Sequence, residues 1–178
     1  MSFTNEIYQR ALHIRCLICD VDGVLTDGTV YLDNEAGELK AFNIKDGLGI
    51  KLMQRSGIEV AIITGRNSPV VSRRMAELGV KHYYQGQVNK QAAFEDLLQK
   101  LDISAEQVAY IGDDLPDLPL MKRVGIGFAP SDAASFVQEK SDYLLDTKGG
   151  RGAVREIAEL LLATQGKLDA IHQEYWDA

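Results

Sequence analysis

The chain has 178 residues, of which 46% are hydrophobic and 25% are charged. This composition is typical of a globular domain and excludes disordered and collagen-like chains. Nineteen basic and 26 acidic residues give a net charge of −7, which argues against non-specific binding of nucleic acid. No apolar run reaches the roughly 20 residues that span a bilayer, and the first residues lack the apolar region of a signal peptide. We therefore expect a cytoplasmic protein with one domain over residues 1–178.

Short apolar runs alternate with helix-like stretches along the chain. The runs predict strands at Ile14–Cys19, Val60–Ile63, Lys81–Tyr84, Val108–Ile111, Ile126–Ala129 and Tyr143–Leu145. The stretches between and after them predict helices at Leu48–Ser56, Pro69–Leu78, Lys90–Leu101, Leu115–Val124 and Ala153–Gln165. Such alternation indicates βαβ units, and runs that are apolar on both faces are typical of covered parallel strands. The predicted fold class is α/β, with a three-layer, Rossmann-like and mainly parallel sheet.

One segment departs from the alternation. Gly28–Asn43 has two β-rich stretches around the turn-forming cluster Asp33–Gly37, which predicts an inserted β-hairpin. Because an isolated two-stranded hairpin is marginal in water, its apolar side chains need a surface to pack on. Two alternatives are open: the hairpin folds back on its own domain, or it packs against copies of itself in an oligomer.

Polar side chains follow three of the predicted strands. Asp20 and Asp22 come after the first strand, Thr64 and Arg66 after the second, and Asp113 after a later one. Ligands of parallel α/β sheets bind beyond the carboxyl ends of the strands. Two like charges roughly 4 Å apart repel by about 4 kcal/mol at an effective dielectric of about 20, so converging carboxylates shift their pKa values or bind a cation. An all-oxygen site of this kind suits Mg²⁺.

The same residues fit the hydrolysis of a phosphate monoester. A carboxylate beside Mg²⁺ can attack phosphorus and form an aspartyl-phosphate. A second carboxyl group can protonate the leaving alkoxide and then take a proton from the attacking water. The phosphoryl oxygens need positive charge and hydrogen-bond donors, which Thr64 and Lys90 can supply.

Four motifs in order give the chain a specific resemblance to a known superfamily. They are DVDGVLT (Asp20–Thr26), Thr64, Lys90 and GDDLPD (Gly112–Asp117). Together they resemble the motifs of haloacid dehalogenase-like phosphatases, and they span most of the chain. The intervals between them, residues 27–63 and 65–89, are too short for the separate cap domain of many members. We expect a capless enzyme whose closing surface comes from a neighbouring subunit.

The resemblance also implies a function for each motif residue. Asp20 is the expected nucleophile, Asp22 the general acid/base, and Thr64 and Lys90 bind the phosphate. The metal ligands are the Asp20 carboxylate, the main-chain carbonyl of Asp22, and Asp113. Asp114 and Asp117 are expected to support these ligands rather than to bind Mg²⁺ themselves.

Longer strings resemble one family within the superfamily. DVDGVLTDG, FNIKDGLGIK, ITGR, RRMAELG, IGDDLPDLP and GGRGAVRE are similar to 3-deoxy-D-manno-octulosonate 8-phosphate phosphatases, homotetramers of lipopolysaccharide biosynthesis in which four hairpins form a barrel. The resemblance implies Mg²⁺-dependent release of phosphate from that sugar acid. It implies substrate contacts at Asp22, Asn43, Ile44, Lys45, Asp46, Gly47, Lys51, Arg66, Arg74 and Lys90. Basic groups suit an anionic sugar acid phosphate. The tail, residues 167–178, matches no motif.

Two other functions are open. The substrate is alternatively a nine-carbon keto-deoxy sugar acid 9-phosphate, or the chain is a non-catalytic oligomerisation domain. The intact set of Asp20, Asp22, Lys90 and Asp113 favours an enzyme.

Two further features are interpreted as structural. Cys16 and Cys19 form a CxxC, but residues three apart on a strand point to opposite faces, so their thiols cannot easily meet. We interpret them as core residues. The glycine-rich run Gly149–Gly152 predicts a flexible loop near the mouth of the site.

Overall fold

The structure is a computed structural model, and it describes residues 4–32 and 37–178. Its strands are β1 (Cys16–Cys19), β2 (Tyr31–Leu32), β3 (Glu38–Leu39), β4 (Glu59–Ile63), β5 (His82–Tyr84), β6 (Val108–Ile111), β7 (Ile126–Ala129) and β8 (Tyr143–Leu144). Its helices are α1 (Asn5–Ala11), α2 (Ile44–Arg55), α3 (Pro69–Leu78), α4 (Gln91–Leu101), α5 (Leu118–Met121), α6 (Ser135–Lys140), α7 (Ala153–Thr164) and α8 (Leu168–Asp177).

Six of these strands form one sheet in the order β5-β4-β1-β6-β7-β8. All neighbouring pairs in it are parallel, and β1 lies between β4 and β6, with Cys19 level with Ile62 and Ile111. The predicted α/β class with a parallel sheet is confirmed. Because the strands are parallel, the residues that follow β1, β4 and β6 meet at one edge.

The core has two parts, one on each face of the sheet. Alternate residues of β1 point to opposite faces, so Leu17 and Cys19 pack with α2, α3 and α7, whereas Cys16 and Ile18 pack with α4 and α5. Both cysteines are free and buried, and burial raises the pKa of each thiol. Their interpretation as core residues is confirmed.

The inserted hairpin is present, and it is largely uncovered in the single chain. Strands β2 and β3 pair antiparallel, with Tyr31 opposite Leu39; residues 33–36 of the predicted turn lie outside the described residues. Among the described apolar side chains of this segment, Phe42 packs on the core. Val30, Tyr31 and Leu39 are 43%, 47% and 69% exposed. The fold of one chain therefore does not bury the outer part of the hairpin.

Two of the predicted helices differ from the structure by more than one residue. Helix α2 begins four residues early, at Ile44, because the Asn43 side chain caps it by accepting a hydrogen bond from the Lys45 amide at 2.9 Å. The predicted helix Leu115–Val124 is instead a 3₁₀ turn, Leu115–Asp117, followed by the short α5. Pro119 lacks an amide proton, so it fits only the first turn of a new helix.

The C-terminal segment is helical. Helix α7 ends at Thr164, one residue before the predicted end, and Gly166 lies beyond it with a φ of +68°. Helix α8 follows and packs through the buried Ile171. No helix in residues 4–32 and 37–178 is both long and apolar enough to traverse a membrane.

Candidate active site

The loops after β1 and β6 bring acidic side chains together at the carboxyl edge of the sheet. Asp20 follows β1 directly, and its amide donates a hydrogen bond to the Ile111 carbonyl at 3.1 Å. Asp113 and Asp117 follow β6. One carboxylate oxygen from each of Asp20, Asp113 and Asp117 lies within 4.8 Å of the others. The predicted convergence of Asp20 and Asp113 is thus present.

Lys90 lies at the centre of this cluster and is 5% exposed. Its ammonium donates hydrogen bonds to Asp20 Oδ1 at 2.8 Å, Asp117 Oδ1 at 2.7 Å and Tyr110 Oη at 3.1 Å. Burial acts to lower the pKa of Lys90, but the charges of Asp20 and Asp117 outweigh it and raise the pKa above its usual value. Lys90 is therefore a permanent positive charge beside the Asp20 carboxylate.

Asp117 organises the loop rather than facing a ligand. Its Oδ1 accepts hydrogen bonds from Lys90 and, at 2.6 Å, from the Tyr110 hydroxyl. Its Oδ2 accepts hydrogen bonds from the amides of Asp113 at 3.0 Å and Asp114 at 3.2 Å. Asp114 accepts a hydrogen bond from the Leu115 amide at 2.8 Å and caps the 3₁₀ turn. Both contacts fit the supporting functions expected for these two residues.

The ionised forms of Asp20 and Asp113 are unfavourable where these residues lie, and a bound cation would stabilise them. Burial is the main cause that raises the pKa of Asp20 to about 6 and that of Asp113 to about 7, and the charge of Asp117 raises both further. Lys90 opposes the shift at Asp20. A hard divalent cation bound to oxygen ligands removes this repulsion, so the donor set fits Mg²⁺.

Two glycine positions allow the acidic loops to approach each other. Gly23 has a φ of +88°, and a Cβ there would lie 2.0 Å from Asp113 Oδ2. Gly149 faces Gly23 from the other side, where a Cβ would lie 1.8 Å from the Gly23 carbonyl oxygen. The Gly150 amide donates a hydrogen bond to the Val24 carbonyl at 2.8 Å. The expectation of a flexible loop at Gly149–Gly152 is wrong, because this loop packs against the backbone that follows Asp20.

A cavity of about 300 Å³ opens above the cluster, a volume at the small end for a ligand site. Asp22 and Arg66 line it, and the buried Thr64 is at its wall. The full lining comprises Asp20, Asp22, Thr64, Gly65, Arg66, Gln87, Val88, Lys90, Asp113, Asp114, Pro116 and Asp117. Every residue predicted to be catalytic or to bind metal is in this set.

The other predicted substrate contacts, all of them described residues, lie outside this cavity. Asn43 caps α2, Ile44 is 81% exposed, and Lys45 lines a second cavity of about 830 Å³ together with Arg151 and Arg155. The remaining ones are Asp46, Gly47, Lys51 and Arg74. Within one chain, the predicted contacts therefore divide into those that line this cavity and those that do not.

Asp46 and Gly47 have structural functions within the chain. Asp46 is 1% exposed, and its Oδ1 accepts a hydrogen bond from the Arg155 amide at 2.9 Å, in the first turn of α7. A Cβ at Gly47 would lie 2.6 Å from a guanidinium nitrogen of Arg74. Asp46 stays a predicted substrate contact, and in the single chain its carboxylate caps α7 from below the surface.

The sequence interpretation missed Lys40. Its side chain is 2% exposed, and its ammonium pairs with Asp22 Oδ1 and, at 3.3 Å, with Glu38 Oε1. Arg66 pairs with Glu38 at 3.1 Å and with Asp22 Oδ2 at 3.9 Å. The sequence offered only a weak signal: Glu38 and Lys40 are two residues apart in a predicted β-rich stretch, and such residues share a face of a strand.

Comparison with known proteins agrees with this site. Residues 84–157 match the model of a family described as haloacid dehalogenase-like hydrolase. The chain is 54% identical over 166 residues to the 3-deoxy-D-manno-octulosonate 8-phosphate phosphatase KdsC of Salmonella typhi, which covers 93% of this chain and 88% of that protein. The chain belongs to this phosphatase family. It is therefore a haloacid dehalogenase-like phosphatase, as the motifs predicted.

Solved structures of the family share the fold. The 3-deoxy-D-manno-octulosonate 8-phosphate phosphatase of Yersinia pestis superposes with a TM-score of 0.92 at 50% identity, covering 93% of this chain and 89% of that chain. The enzyme of the same name from Moraxella catarrhalis superposes with a TM-score of 0.94 at 45% identity, covering 97% and 99%. The Moraxella structure is described as a complex with a magnesium ion, a phosphate ion and a KDO molecule.

Proposed function

We propose that this protein hydrolyses 3-deoxy-D-manno-octulosonate 8-phosphate to the free sugar acid and phosphate, in the cytoplasm and as a step of lipopolysaccharide biosynthesis. The observation that carries the proposal is the contact of the buried Lys90 with Asp20, beside Asp113 and at the base of a cavity. The names of the relatives support the substrate.

Asp20 is the proposed nucleophile. Lys90 holds its Oδ1 at 2.8 Å, which fixes the carboxylate and leaves Oδ2 to attack phosphorus. The new bond joins Asp20 to phosphorus, and the bond from phosphorus to the sugar oxygen breaks. Asp20, Asp113 and the Asp22 carbonyl would hold Mg²⁺, which supplies positive charge to the phosphoryl oxygens.

Asp22 is the proposed general acid and base. It lines the same cavity as Asp20, and in the first step it gives a proton to the departing sugar alkoxide. In the second step it takes a proton from water as that water attacks phosphorus. The Asp20–phosphorus bond then breaks and inorganic phosphate leaves. Thr64 and Lys90 bind the phosphoryl oxygens in both steps.

The sugar acid carboxylate requires basic groups beyond those of the cavity. Arg66 is half exposed at the cavity wall, and Lys45 lines the second, separate cavity. We infer that the protein is a homotetramer, in which exposed contacts such as Ile44, Lys45 and Lys51 reach the active site of a neighbouring subunit. The uncovered apolar side chains of the hairpin support this assembly.

Phosphate release from the purified protein tests the reaction. With Mg²⁺ and the sugar acid 8-phosphate, we expect Asp20→Asn to lower kcat by at least about 10³-fold, because an amide cannot form the covalent intermediate. Asp169→Asn is the matched control at an exposed acid in α8, and it keeps full activity. Full activity of Asp20→Asn would contradict the mechanism.

The same assay separates the alternatives. Comparing kcat/KM for the eight-carbon and nine-carbon sugar acid phosphates identifies the preferred substrate, and we expect the eight-carbon ester to be preferred. A non-catalytic assembly domain would hydrolyse neither ester. The contact between Lys90 and the Asp20 carboxylate weighs against that function, since an assembly domain has no need to bury this pair.

A further inference from the structure

A ring of four charges joins the inserted hairpin to the active site. Lys40 follows β3, and its ammonium contacts Asp22 Oδ1 and Glu38 Oε1. Arg66 contacts the same two acids, Glu38 at 3.1 Å and Asp22 Oδ2 at 3.9 Å. Each carboxylate of the ring is thus shared by two cations, and each cation by two carboxylates.

Lys40 holds one side of this ring without facing the ligand. Its side chain is 2% exposed, whereas the Asp22 side chain is 23% exposed. Of the four residues, Asp22 and Arg66 line the cavity. A buried ammonium is strongly unfavourable unless it is paired, so Lys40 keeps its contact with Asp22 Oδ1. Together with the longer contact of Arg66 to Asp22 Oδ2, this contact restricts rotation of the partly exposed Asp22 carboxylate.

We propose that Lys40 is a positioning residue, which orients the Asp22 carboxyl group for proton transfer to the leaving alkoxide. The proposal rests on the function proposed for Asp22 above. Through Lys40 and Glu38, the hairpin contributes to the chemical step within its own subunit. This contribution is separate from any part that the hairpin plays in assembly.

The leaving group of the substrate distinguishes this function from a purely structural one. A sugar alkoxide needs a proton as it departs, whereas p-nitrophenolate is stable enough to leave without one. A positioned general acid contributes roughly 10²- to 10⁴-fold. Loss of the correct orientation therefore slows hydrolysis of the sugar ester and has little effect on hydrolysis of p-nitrophenyl phosphate. The relevant quantity is kcat/KM, which includes only the steps up to the first release of alcohol.

The experiment compares Lys40→Met with wild type on both esters in Mg²⁺. We expect kcat/KM for 3-deoxy-D-manno-octulosonate 8-phosphate to fall about 10- to 100-fold and that for p-nitrophenyl phosphate to fall less than about threefold. Lys40→Arg recovers most of the loss, because it keeps the positive charge. Lys122→Met, at an exposed lysine distant in sequence from the ring, leaves both values unchanged.

A double mutant of Lys40 and Asp22 gives a second test, because it shows whether the two substitutions affect the rate independently. In an Asp22→Asn background, adding Lys40→Met has little further effect if both residues act through one proton transfer, whereas independent effects multiply. If Lys40→Met does not fold, Glu38→Gln removes one charge of the ring with less disturbance and shows the same selective loss on the sugar ester.

The outcomes separate the inference from the proposed function. An equal fall on both esters, no fall on either, or a fully multiplicative double mutant overturns the positioning function of Lys40. A wild-type protein that hydrolyses p-nitrophenyl phosphate but not the sugar ester overturns the proposed substrate, and a simple alkyl phosphate then replaces that ester in the Lys40 comparison. A wild-type protein that hydrolyses neither overturns the proposed function, and the inference with it.

Discussion

At the scale of single residues, the site depends on a glycine as much as on its acids. Asp113 reaches the neighbourhood of Asp20 only because Gly23 has no side chain: a Cβ there would lie 2.0 Å from Asp113 Oδ2. The φ of +88° at Gly23 also disfavours any other residue. The acids were predictable from the sequence, but this close approach was not, since it depends on where two distant loops meet.

Gly23→Ala tests this contact. We expect the Mg²⁺ affinity to fall at least about tenfold and kcat to fall with it, because Asp113 must move. Calorimetric titration with Mg²⁺ measures the first effect. Gly57→Ala is a matched control, since Gly57 has a similar φ of +82° but a Cβ there meets no described atom within 4 Å. Unchanged Mg²⁺ binding by Gly23→Ala would show that Asp113 is not a ligand.

The raised pKa values of Asp20 and Asp113 predict how stability depends on pH. Both pKa values lie above the usual aspartate value of 3.8, at about 6 and about 7. The stabilisation that comes with their protonated forms is therefore complete below about pH 4 and is lost as the pH rises through 6 to 7. Above pH 7 the metal-free protein holds both charges, and Lys90 offsets only part of their cost, at Asp20.

Mg²⁺ is accordingly expected to stabilise the protein more at pH 8 than at pH 5.5, because protons compete with the ion for the same oxygens. A ligand at 100 times its Kd adds about 2.7 kcal/mol to the free energy of unfolding. The difference in Tm between Mg²⁺ and EDTA samples at the two pH values measures this. Equal Tm differences would contradict the prediction, and Asp113→Asn is expected to reduce the difference at both.

At the scale of elements, buried strands were more predictable than helix starts. Val108–Ile111 and Ile126–Ala129 coincide with β6 and β7 because they are apolar on both faces. The first turn of α2 has no apolar periodicity, and what fixes it is the Asn43 cap and the contact of Asp46 with α7. Lys40 was missed for a similar reason, since a lysine in a short hairpin resembles a solvated side chain.

Asp46 gives a prediction that separates a cap from a ligand contact. Asp46→Ala removes the acceptor for the Arg155 amide, and we expect the free energy of unfolding to fall by about 1–2 kcal/mol. Asp46→Asn keeps a side-chain oxygen and loses less. Urea denaturation measures both variants, with KM determined in parallel. A raised KM with unchanged stability would contradict this cap and support the predicted substrate contact at Asp46.

At the scale of the whole molecule, the active site of one chain is incomplete for the proposed substrate. The proposed catalytic residues share one cavity, whereas exposed members of the predicted substrate set, such as Ile44 and Lys45, lie outside it. In the proposed tetramer, neither the sequence nor a single chain defines which subunit supplies each of these predicted contacts. The hairpin, with Leu39 at 69% exposure, is the surface through which copies are expected to meet.

Light scattering during size-exclusion chromatography measures the mass of the assembly. We expect a mass close to four chains for wild type and a smaller species for Leu39→Lys, because a charge at an apolar interface is costly. If neighbouring subunits supply substrate contacts, Leu39→Lys also raises KM for the sugar ester. Leu12→Lys, at an exposed apolar residue directly after α1, keeps the larger mass. A fully active wild-type monomer would contradict this arrangement.

The packing of Gly149 and Gly150 against the backbone at Gly23 and Val24 has a consequence for how the enzyme is made. Translation produces Asp20, the proposed nucleophile, more than 120 residues before the loop that supports its backbone. A nascent chain that has already exposed all four motifs still lacks this support. We therefore expect the site to form only after Gly149 and Gly150 have been made, and a chain that stops just before Gly149 to carry all four motifs without a working centre.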